Sequence, residues 1–192
     1  RRQYCYYTQF MPSIASNLPE LASSGKLVSP VVNLSLSSFS NAIQLYKALR
    51  KHVPDLSVID VYTAYDYARD EYARMKDELS RVFDEKAASD DGVKVVFVGR
   101  PYTMLLPSMN KGIPGIFGSL GVKSVFQDMI SYTNDEVKRI EPLLKTFHWH
   151  FASKILELTE AVAKREGVYP VFVTSFKCSP DSFVMEYFKR IM

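Results

Sequence analysis

One short run, Val93-Lys94-Val95-Val96-Phe97-Val98-Gly99, does most to limit what this chain can become. It is rich in β-branched residues and is entered through the turn Ser89-Asp90-Asp91-Gly92, so it predicts a buried strand. Two similar runs come later, Val122–Phe126 and Tyr169–Thr174. Helical patterns separate them: a short one over 111–120 ended by Gly121, and a longer one over 135–166 with a break at Pro142 and an end at Gly167. Pro180 opens a last helix, with Ser179 as its N-cap. Strands that alternate with helices argue for an α/β fold, a parallel β-sheet flanked by helices as in a Rossmann- or flavodoxin-like lobe. Such sheets bind ligands at the carboxyl ends of their strands. Gly99-Arg100-Pro101-Tyr102 and Ser175-Phe176-Lys177-Cys178 both leave such ends, so they are expected on one edge of the sheet.

The upstream part is less regular. A short helix is expected over 12–20, with Pro12 in its first turn, and a short strand at Val31-Val32-Asn33-Leu34. Ser38 or Ser40 caps a helix to about Lys51. A long helix runs from about Ser57 to Ala88, with charges of alternating sign on a solvated face and Tyr62, Tyr65, Tyr67 and Tyr72 as packing residues. These patterns divide the chain into 1–90 and 91–192. It opens at Arg1 without an initiator Met and stops inside a helical pattern, so it reads as an excised piece of a larger protein.

Composition narrows the function classes. Apolar residues make up 47% and charged residues 23%, which is ordinary globular usage and argues against disorder. A net charge of +3, with no polybasic run, gives no footprint for nucleic acid. No apolar stretch approaches the ~20 residues of a membrane span, and no signal-peptide core follows Arg1-Arg2. Two cysteines are too few for a disulfide framework, so a reducing, cytoplasmic setting is expected.

Those two cysteines are the leading chemical candidates. Cys178 follows a strand and precedes a helix start, where the helix dipole and Lys177 are expected to favour a thiolate, the form that ligates metals or attacks carbon. Cys5 lies among Tyr4, Tyr6 and Tyr7; paired with Cys178 it supplies half of an iron–sulfur or zinc site. The two are 173 positions apart, so a shared site must be assembled by the fold. Arg100 after a strand can pair with a carboxylate, a phosphate or an acidic neighbour. Asn110-Lys111-Gly112-Ile113-Pro114-Gly115 is either a simple turn or an anion-holding loop, without the order of a P-loop. His148 and His150, two apart on a helix, point about 200° from each other and suit packing or surface roles.

Together these phrases carry a resemblance. Cys5-Tyr6-Tyr7-Thr8-Gln9-Phe10, Gly99–Tyr102, Asn110–Pro114, Phe147-His148-Trp149 and Thr174–Phe183 resemble the 2-hydroxyacyl-CoA dehydratase superfamily. The nearest likeness is to the dehydratase-like segment of fused CoA-substrate-specific enzyme activases, the activators of 2-hydroxyglutaryl-CoA dehydratase in anaerobic metabolism. The resemblance implies a [4Fe–4S] cluster held by cysteine thiolates, with Cys5 and Cys178 as ligands. It also implies an ATP-binding activase half as partner, an acyl-CoA substrate, and a cluster lost on purification in air. Arg100, Tyr102, Asn110 and Lys111 become weaker candidates for lining a substrate cleft. Ser175 and Asp181 become candidates for hydrogen bonds around the Cys178 loop. Such subunits commonly use three cysteines, whereas this chain has two. The rival expectations are a docking or regulatory α/β domain without a cluster, and a CoA-binding enzyme that uses Lys111 and the Gly112–Gly115 turn without metal.

Overall fold

Helices open the chain. In the computed structural model, residues 3–33, 36–88, 92–175 and 178–192 are described, 86–88 by their backbone alone. They form two compact units, Gln3–Met75 and Lys76–Met192. The division expected near residue 90 falls on 89–91, outside the described residues.

The first unit holds α1 (Tyr6–Ser16), α2 (Pro19–Ala22), α3 (Ser38–Leu49) and the start of α4 (Val58–Ala88). α1 begins earlier than expected, so Pro12 lies in its interior, where it forgoes one backbone bond. Ser37, not Ser38 or Ser40, caps α3 by accepting the Ser40 N–H at 3.2 Å. Val31–Asn33 is not a strand, and Leu34 lies outside the described residues. The buried Asn41 side chain accepts the Asn33 N–H at 2.8 Å and donates to the Asn33 carbonyl at 3.0 Å, replacing a strand partner. α4 starts with a reciprocal cap. Ser57 Oγ accepts the Asp60 N–H, and Asp60 Oδ2 accepts the Ser57 N–H at 3.0 Å.

The second unit is the α/β lobe. Its elements are β1 (Lys94–Gly99), α5 (Pro101–Met104), α6 (Pro107–Asn110), α7 (Ile113–Ser119), β2 (Lys123–Phe126), α8 (Glu141–Leu144), α9 (His150–Ala163), β3 (Val168–Val173) and α10 (Ser179–Ile191). The three strands form a parallel sheet of order β2-β1-β3. β1 is buried on both faces. Val96 and Val98 join Ile155, Leu156, Val162 and Val184 of α9 and α10, while Val95 and Phe97 join Met104, Phe117 and Phe126 on the other side. The expected α/β fold is present. Pro142 does not break its helix: it sits in the first turn of α8, where a missing N–H costs nothing. The break comes after Leu144, and α9 restarts at His150.

The carboxylates of α9 are buried yet paired. Glu160 takes Arg139 at both oxygens and Lys164 at 3.1 Å, and Glu157 accepts from the Tyr132 hydroxyl at 2.8 Å. β3 pairs with β1 alone among the described residues. The Lys94 N–H bonds to the Gly167 carbonyl, and successive residues of a strand direct their backbone groups to opposite sides. Val168, Pro170 and Phe172 therefore present theirs outward. Pro170 has no N–H to present, the usual placement of proline on an edge.

Candidate functional site

In the order β2-β1-β3 the chain passes from β1 to one neighbour and then returns to the other side. The crevice at the carboxyl ends of β1 and β3 is thus the point where the winding reverses, the place where open α/β sheets hold ligands. The residues leaving those strands meet there, as expected.

Gly99 ends β1 so close to β3 that a Cβ would stand 2.4 Å from the Val173 carbonyl oxygen. Its N–H donates to Gln127 Oε1 at 3.1 Å. Arg100 then turns inward and is 3% exposed. Its Nε donates to Asp181 Oδ1 at 2.9 Å, and its Nη2 lies 2.8 Å from the same oxygen without hydrogen-bond alignment. The other carboxylate oxygen of Asp181 accepts the Thr174 hydroxyl at 2.8 Å. One buried aspartate in the first turn of α10 therefore ties the ends of β1 and β3 together. Burial works against the Arg100 charge, but the hydrogen bond and charge of Asp181 outweigh it, and its pKa is held above the ordinary range. Tyr102 and Cys178 lie within reach of the same guanidinium. Thr103 Oγ1 is buried without a hydrogen-bond partner.

Cys178 is the N-cap residue of α10, and Ser179 is the first helical residue rather than the cap. The Cys178 backbone organises the turn. Its N–H donates to the Ser175 carbonyl at 3.2 Å, and its carbonyl accepts the Ser182 N–H at 3.0 Å. Ser175 thus serves the loop through its backbone, and Asp181 through its side chain. The expected thiolate is not favoured. Burial pushes the Cys178 thiol above its usual range; the Asp181 amide and Arg100 pull the other way, and the Asp181 carboxylate adds to the push. Lys177, expected to assist, lies outside the described residues.

Asn110 is buried and engaged at both ends: its Nδ2 donates to the Met104 carbonyl at 2.7 Å and its Oδ1 accepts the Gly112 N–H at 2.9 Å. It shapes the turn in which Lys111 and Gly112 both take left-handed φ, 55° and 75°. Lys111 and Tyr102 are exposed. Cys5 caps α1 in the other unit, its carbonyl accepting the Gln9 N–H at 3.1 Å. Among the described residues no three of His, Cys, Asp and Glu gather as a metal group. Sequence patterns do not single out Thr174 or Thr103. Thr174 directly follows β3, and its position on that edge is the available signal.

The family described as the CoA enzyme activase uncharacterised domain matches residues 1–130. The chain belongs to that family. The matched span includes Cys5, Arg100, Tyr102, Asn110 and Lys111; Ser175, Cys178 and Asp181 lie beyond it. No curated protein and no solved structure matches the chain. No helix among the described residues is long and apolar enough to cross a membrane.

Proposed function

We propose that this activase-family chain is an electron-transfer, dehydratase-like segment of an acyl-CoA dehydratase activase. In this reading the Cys178 thiol is one ligand of a [4Fe–4S] cluster whose remaining ligands come from outside the Lys76–Met192 unit. The observation that carries the reading is the seat of Cys178, at the start of α10 beyond the carboxyl end of β3, where it feels the charge of Arg100 and the sheet reverses its winding. Thiolates are the ligands iron–sulfur clusters select. The residues at hand do not fit a cluster held by this chain alone. Ordinary [4Fe–4S] clusters are held by four thiolates and the subunits this chain resembles commonly supply three, whereas the sequence has two cysteines and no third ligand gathers among the described residues. An ATP-binding activase half and an acyl-CoA remain the proposed partners.

That shortfall favours a second reading, a docking or regulatory domain of the activase without a cluster. Anaerobic reconstitution separates the two. Iron and sulfide content and the broad absorbance near ~400 nm are followed for the chain and for Cys178→Ser. Uptake that the substitution removes supports the cluster reading. Uptake by neither this chain nor a longer one that restores flanking sequence overturns it in favour of docking.

A further inference from the structure

We draw no further inference here: the strongest candidate, the surface patch of exposed Leu105, Leu106, Met109, Ile116 and Leu120 along α5, α6 and α7, carries nothing because nothing in the structure shows what covers it.

Discussion

Arg100 and Asp181 stand 81 residues apart in the chain, yet their side chains meet at 2.8 Å in the interior. The pair joins the end of the central strand to the first turn of the last helix, and Thr174 brings in the neighbouring strand. Cys178 hangs from this knot, three residues before Asp181, so its position is set by charge pairing as much as by the backbone.

Removing one partner of the pair is expected to be severe. Asp181→Ala leaves a buried guanidinium uncompensated and destabilises the fold by about 3–5 kcal/mol. Replacing both partners, as in Arg100→Met with Asp181→Leu, is far milder. Urea midpoints of the three proteins check the order.

Close approach of the strands makes Gly99 hard to replace. Gly99→Ala drives a methyl into the Val173 carbonyl, so the strand ends must separate. A loss of about 1–3 kcal/mol is expected. Amide exchange at positions 99 and 174, measured in the same variant, should quicken before the rest of the sheet does.

Cys178 should behave as a reluctant nucleophile. In a Cys5→Ser background, the pH midpoint of its alkylation is expected to lie above that of the same thiol in the urea-unfolded chain, because burial disfavours the thiolate. Ionisation is easier in the unfolded chain, so the thiol's contribution to stability is complete at neutral pH and declines as pH rises through the thiol range. A midpoint below the unfolded value contradicts the arrangement described.

Glu160 sets the acid side. The Arg139 hydrogen bonds and the Lys164 charge hold its carboxyl below the usual range against burial, and Glu136 is lowered by the Thr133 amide and Arg165. Carboxylates lowered in the fold stabilise it above their unfolded pKa and lose that contribution as pH falls through the folded one. Glu160→Gln should therefore flatten the fall in stability below about pH 4.5 while lowering stability at pH 7. Thermal melts across that range check it.

The sheet was legible in the sequence because β-branched runs and glycine stops are local signals. The strand at 93–99, the turn between α7 and β2 and the start of α4 at Ser57 all rest on such signals. What escaped depends on distant partners. Val31–Asn33 has strand-like residues, but a side chain eight positions from Asn33 takes its backbone groups. The Cys178 loop shows its helix start and Asp181 as a hydrogen-bonding candidate, yet not that this aspartate turns toward Arg100 and works against a thiolate. Asn110 read as a cleft residue because its two internal bonds join segments that no pattern connects.

The proline in β3 gives the sheet a polarity of growth. One flank of the lobe lacks a donor at mid-strand, whereas the four residues of β2 all carry one. Any additional strand, from another molecule or from elsewhere in a longer polypeptide, meets the missing donor along β3 and no such missing donor along β2. Enlargement of this architecture is thereby steered away from the Cys178 side and toward the opposite flank.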